Sequence, residues 1–437
     1  VLYTLGVLVF AFGLLASIAL HEIGHLTPAK IFGVRVTQYM VGFGPTLWSK
    51  RRGDTEYGVK AIPMGGYIRM IGMVPPRQDG KKSRWPRRMA ELVEEFRETS
   101  RTEVSDTDGD RQFYRLTPGK KMIIMLGGPT MNLLIFLVIT ILLYGLIGTK
   151  EPTTKIASVS QCVVAATAQT DTCAADATPS PAAGKLQAGD KILSVGSTKI
   201  TKWTQLVSII EASAGKTLTL SVERAGATVP ISITPVENTR YLNDSSNKTE
   251  QAGFIGVSPD QAYQTDDPAQ IVSVIGKTFS QDFGSLKQFP AKIGSLWGTV
   301  FEGKPRDQTG AVGVVGLGRI GGQIAADKNI AVLDRISFLL DLLAGVNLLL
   351  FIFNLLPLLP LDGGHVAGAL VEAARRGWAR LRLRRAVKVG TAGPKRVSPI
   401  YVDVAQLVPV MYAVAGVLLV VSVFVLYADI VKPVSIN

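Results

Sequence analysis

His21-Glu22-Ile23-Gly24-His25 places two imidazoles four residues apart with a carboxylate between them. On a helix this spacing puts both histidines on one face, where they can share a metal ion. The glutamate is then close enough to hold and deprotonate a bound water. The motif closes a run, residues 1–20, that carries no charge and is long enough to cross a hydrocarbon core of about 30 Å. A polar helix end with two satisfied histidines suits a soluble helix. At the end of a membrane span the same groups are costly, which marks them as functional candidates.

A catalytic zinc usually takes three protein ligands and keeps its fourth position open. Residues 26–53 contain no Asp, Glu, His or Cys, so the third ligand must come from elsewhere. The best candidate is Asp362, in the run NLLPLLPLDGGH from Asn354 to His365. There Pro357 and Pro360 remove backbone donors and Gly363-Gly364 release the chain, so the span should lose its helix. The chain has 3 histidines, and His21, His25 and His365 all sit in these two motifs. His365 is either an alternative ligand or a group that orients one. Asn354 reads as an interhelical hydrogen-bonding residue or as a donor to a substrate carbonyl, and Pro357 leaves a backbone acceptor free to hold an extended chain. GGPTMN, Gly127 to Asn132, is expected to break its span near the same depth, with Asn132 packed beside the site.

Four membrane spans must position these groups: residues 1–20, about 122–147, about 338–359 and about 404–431, the last uncharged until Asp429. The hydrophobic content of 47% agrees with an α-helical polytopic membrane protein. The first run has neither a basic leader nor a small-residue cleavage site, and is expected to be a retained span. Loops 26–119 and 366–405 carry an excess of Lys and Arg, whereas 148–336 is near neutral. The basic loops are therefore expected inside, with both termini and 148–336 outside. This topology and anionic lipid account for the net charge of +13, with no nucleic acid partner. Spans one and three then run the same way, and His25 and Asp362 each fall about 24 residues from a span start, at matching depth.

The sequence divides into a first half of a membrane core (1–150), an outer α+β domain (151–236), a connector (237–336) and a second half of the core (337–437). Within the first half, Tyr57 to Met70 suggests a β-hairpin turning at Pro63-Met64-Gly65-Gly66, whose edge could pair with an extended substrate, and 77–118 is a charged surface loop. From Gly184 to Ile200 the chain carries L-x-x-G-D-x-I-L-x-V, followed by a helical stretch at 203–212 and two β-rich runs, an order that resembles a PDZ domain. Cys162 and Cys173 lie in an alanine-rich insertion before it, where a disulfide could persist in an oxidising compartment. GLGRIG, Gly316 to Gly321, fits a dinucleotide fingerprint, but it runs into a membrane span and has no second parallel strand. Glycine flexibility in a connection explains it better.

Taken together, H-E-x-x-H in span one, G-P-x-x-N in span two, P-x-G-G-Y, the PDZ-like insertion and N-x-x-P-x-x-P-L-D-G in span three resemble the site-2 protease family, its actinobacterial branch in particular. The resemblance covers nearly the whole chain. It implies a zinc intramembrane endopeptidase of the bacterial plasma membrane, with one zinc per chain, that cuts membrane-spanning segments. Typical substrates are anti-sigma factors already trimmed by a site-1-type protease. It also implies His21, His25 and Asp362 as zinc ligands, Glu22 as general base, and Asn354 and Pro357 as substrate contacts. Gly65 and Gly66 would lie in the substrate-pairing hairpin. Two other classes remain open, a receptor with a structural metal and a metal transporter. The first predicts that Glu22 is dispensable, and the second lacks a chain of polar residues forming a path.

Overall fold

The structure is a computed structural model that describes every residue except 78–84, 103, 164–172, 174–176, 242–248, 305, 307–309, 389–399 and 435–437. The chain forms two compact units, residues 144–267 and the remainder. Four helical segments are long and apolar enough to span a membrane: Leu2–Ile31, Pro118–Ile147, Val332–Asn354 and Val404–Val431. The protein is thus a polytopic helical membrane protein with extramembrane sheet.

Helix α1 (Leu2–Ile31) runs well past the apolar stretch, so the H-E-x-x-H residues lie on a continuous helix. It ends where the Phe32 and Gly33 N–H groups turn back to the Pro28 and Lys30 carbonyls, with Gly33 at φ +80°. Strands β1 (Val36–Arg52) and β2 (Thr55–Met70) follow, joined through Gly53 and Asp54. Tyr57 to Met70 is not a hairpin of its own. It lies wholly within β2, and its two halves flank β1, with Met40 opposite Tyr67 on one side and Gly58 on the other. The turn expected at Pro63–Gly66 is a bend within a strand, where Gly65 takes φ +97°.

Helix α2 (Arg87–Thr102) anchors the charged loop through buried Val93 and Arg97. Arg97 donates to the Pro75 carbonyl at 2.5 Å and to Asp403 at 2.9 Å. Helix α3 (Pro118–Leu142) starts with Pro in its first turn, where no N–H is needed. It does not break at Gly127–Asn132, because Pro129 sits inside an unbroken helix. Neighbouring helices at membrane depth can support a freed carbonyl, so one proline need not end a span.

In the 144–267 unit the strands are β3 (Thr149–Val159), β4 (Lys191–Val195) and β5 (Thr198–Lys199). After helix α4 (Trp203–Glu211) come β6 (Leu218–Arg224), β7 (Ala227–Ile233), β8 (Val236–Tyr241), β9 (Thr249–Phe254) and β10 (Val257–Gln264). The main sheet has the order β10-β3-β4-β6-β7 with β5 on β4, while β8 and β9 pair apart. Alternation along β6 and β7 buries Leu220, Val222, Ile231 and Ile233 in one core with Ile192 of β4 and Leu206 of α4. The G-D turn is tied by Asp190, which accepts from Arg224 Nη2 at 2.6 Å and from the Gln187 N–H at 2.8 Å. The Arg224 guanidinium holds that carboxyl below the usual carboxylate range. Cys162 and Cys173 are disulfide-bonded.

Helices α5 (Pro268–Phe301), α6 (Val314–Ala326), α7 (Val332–Asn354), α8 (Asp362–Lys388) and α9 (Val408–Val431) complete the chain. The stretch expected as a connector therefore holds strands β9 and β10 and helices α5 and α6. Ring contacts join Phe279 and Phe289 of α5 to Phe351 and Phe353 of α7. The GLGRIG glycines belong to α6, packed on α1 so closely that a Cβ on Gly6 would meet the Gly321 carbonyl at 2.8 Å. Asp429, the late carboxylate of the last span, accepts from the Gly313 and Gly316 N–H groups at 2.9 Å and from Arg306 at 3.2 Å, capping the start of α6.

Candidate metal centre

Two elements supply the centre. His21 and His25 project from α1, and Asp362 is the first residue of α8, placed there because Pro357 and Pro360 follow the end of α7 and keep 355–361 out of helix. His21 Nε2 and His25 Nε2 are 3.2 Å apart, and Asp362 Oδ2 is 3.4 Å from the first and 3.3 Å from the second. A tetrahedral ion with bonds of about 2.0 Å holds its ligands about 3.3 Å apart, so the near-equal triangle fits one zinc. Among the described residues this His-His-Asp cluster is the one group of three or more that could hold a metal ion, and Asp362 Oδ2 is buried without a hydrogen-bond partner.

The far side of each ring agrees. His25 Nδ1 lies 2.8 Å from the Ile124 carbonyl, which only accepts, so this nitrogen carries the proton and Nε2 keeps its lone pair. His21 Nδ1 lies 3.1 Å from Asn132 Oδ1 and takes the same tautomer. Both partners belong to α3. That helix approaches because Gly24 and Gly127 face each other backbone to backbone, with no room for a Cβ on either. The next residue, Gly128, faces the ligands, and a Cβ there would collide with both Nε2 atoms.

Glu22 is half-buried under β2, where a Cβ on Gly66 would come 3.0 Å from Glu22 Cγ. Gly66 thus lets the strand pass close to the carboxylate. Tyr39 Oη donates to the Ala19 carbonyl at 2.8 Å and fastens β1 to α1 just above the motif. Gly65 faces the Phe43 ring instead. Asn354 is half-buried at the end of α7 and Pro357 is exposed in the following loop. Among the described residues no hydrogen bond ties the Asn354 side chain to the three ligands. His365 lies three residues along α8 from Asp362, outside the ligand triangle. Gly24, Gly127 and Gly128 are not among the residues that motif spacing marks, and adjacent glycines inside an apolar span are their one signal in the sequence. Nor does spacing mark Asn347, fully buried in α7, which donates to Ser17 Oγ of α1 at 2.9 Å.

A polytopic helical core with a built His-His-Asp centre defines a membrane metalloenzyme, and residues 9–392 match peptidase family M50, to which the chain belongs. It is a zinc metalloendopeptidase of this site-2 protease family, with the family's intramembrane protease activity. Over its whole length it is 32% identical to zinc metalloprotease Rip1 of Mycolicibacterium smegmatis and 31% identical to zinc metalloprotease Rip1 of Mycobacterium tuberculosis, covering 99% of each. Zinc metalloprotease RasP of Geobacillus kaustophilus is 25% identical over 82% of the chain and 87% of its own length. The close relation to the mycobacterial proteases agrees with the actinobacterial branch.

Proposed function

We propose that His21, His25 and Asp362 are the zinc ligands of this protease and that Glu22 is its general base. The reading is carried by the near-equal triangle of three ligand atoms, with each imidazole protonated on its other nitrogen. Bound there, zinc supplies a Lewis acid for the scissile carbonyl and lowers the pKa of water. Glu22 takes the proton of the attacking water and passes it to the leaving amine nitrogen. Asn132 and the Ile124 carbonyl keep both rings in register, and His365 steadies the start of α8. Asn354 donates to the carbonyl oxygen as charge builds there. Pro357 and the Gly65-Gly66 stretch of β2 hold the substrate extended, which a helical segment must become before its peptide bonds are reachable.

The substrates are single-span membrane proteins such as anti-sigma factors, cut after a site-1-type protease has shortened them. The PDZ-like region, 151–236, binds the chain ends so exposed. The basic loops favour 148–336 outside and a centre near the cytoplasmic face of a bacterial plasma membrane. The decisive test compares zinc content and cleavage of a single-span reporter in detergent. Glu22→Gln should keep its zinc and lose at least about 100-fold in rate, and Asp362→Ala should lose most of the metal. Equal cleavage by Glu22→Gln would reject the base assignment.

A further inference from the structure

Helix α8 does more than present Asp362. Its inner face is held by Glu372, 2% exposed, which pairs with Lys121 of α3 at 2.8 Å and with Arg376 at 2.7 Å. The opposite face turns outward with Val371, Ala374, Trp378 and Leu381 in one stripe at helical spacing. Trp378 is 68% and Leu381 53% exposed. Arg375 and Arg382 border the stripe, with Arg380, Arg384 and Arg385 exposed nearby, while Asp362 and Glu372 are the only acids of the helix and both belong to its inner face. Among the described residues neither Arg375 nor Arg382 forms an ion pair, and Arg382 lies over the Trp378 ring at 5.6 Å. Together with Ala374 and Ala379 they line a shallow cleft of about 360 Å³.

We propose that this cleft binds the headgroup of an anionic phospholipid, with its acyl chains along the Val371–Leu381 stripe. An exposed apolar stripe flanked by cations is unfavourable in water and suits a membrane interface, where the tryptophan ring sits at headgroup level and the arginines reach the phosphates. Charge complementarity selects the lipid, since each basic side chain near an anionic surface adds to the attraction. The helix also begins shortly after the third apolar span ends at Asn354, so the element that supplies the metal ligand Asp362 starts beside the bilayer its outward face would meet.

The test uses the full chain in nanodiscs containing brominated lipid, with the Trp378 contribution to fluorescence taken as the difference between the parent and Trp378→Phe. Brominated phosphatidylglycerol should quench that component more than brominated phosphatidylcholine at equal content. In Arg375→Gln/Arg382→Gln the preference should fall by roughly fivefold per arginine, with zinc content unchanged, and Arg375→Lys/Arg382→Lys should keep most of it. Equal quenching by the two lipids in the parent, or a preference that survives loss of both arginines, overturns the proposal. So does relief of quenching by inorganic phosphate or by duplex DNA, which would assign the cleft to a soluble anion or to nucleic acid.

Discussion

At the scale of single residues, the centre depends as much on atoms that are missing as on those present. Gly128 has no Cβ where one would strike both imidazoles, so Gly128→Ala should empty the site. Asn132→Leu removes only the acceptor behind His21, and should weaken zinc binding by about 10- to 100-fold. Zinc titration against a competing chelator separates the two, and a Gly128→Ala protein with parental affinity would refute the steric account. That His21 and His25 share one helix face was legible because four-residue spacing is meaningful on any helix. Gly128 was not, since a glycine in a span reads equally as close packing, and only the position of α3 shows what it faces.

At the scale of elements, the span helices were legible from apolar length, and the strands β6 and β7 from their alternation. The pairing of β1 with β2 was not, because Gly65 and Gly66 read locally as a turn while the long-range partner, Met40 against both Tyr67 and Gly58, is invisible in a short window. Polar links between distant elements were equally hidden. Glu372 serves two cations, Lys121 and Arg376, so its loss and the loss of Lys121 should differ. Glu372→Leu takes the carboxylate from both Lys121 and Arg376 and should cost about 3–5 kcal/mol, whereas Lys121→Met leaves the carboxylate with Arg376 and should cost much less. Thermal unfolding of the two variants in detergent measures both, and equal losses would contradict the asymmetry.

At the scale of the whole molecule, the His-His-Asp cluster joins the two ends of the membrane core, His21 and His25 near the start of the chain and Asp362 beyond α7. Binding to the folded chain alone stabilises it by mass action, by about 4 kcal/mol when free zinc exceeds the dissociation constant about 1,000-fold. Chelation should therefore lower the unfolding temperature as well as abolish cleavage, and added zinc should restore both. An unchanged melting curve after verified metal removal would mean that the two ends hold together without it. The backbone contact of Gly24 with Gly127 has a different consequence, one for traffic. Two helices touching main chain to main chain leave no slot at that depth, so a substrate should not enter through the α1–α3 seam beside the cluster and should arrive from another side. A cross-link fastening α1 to α3 away from the ligands should accordingly leave reporter cleavage intact, and an enzyme silenced by that tether would reveal the seam to be a door.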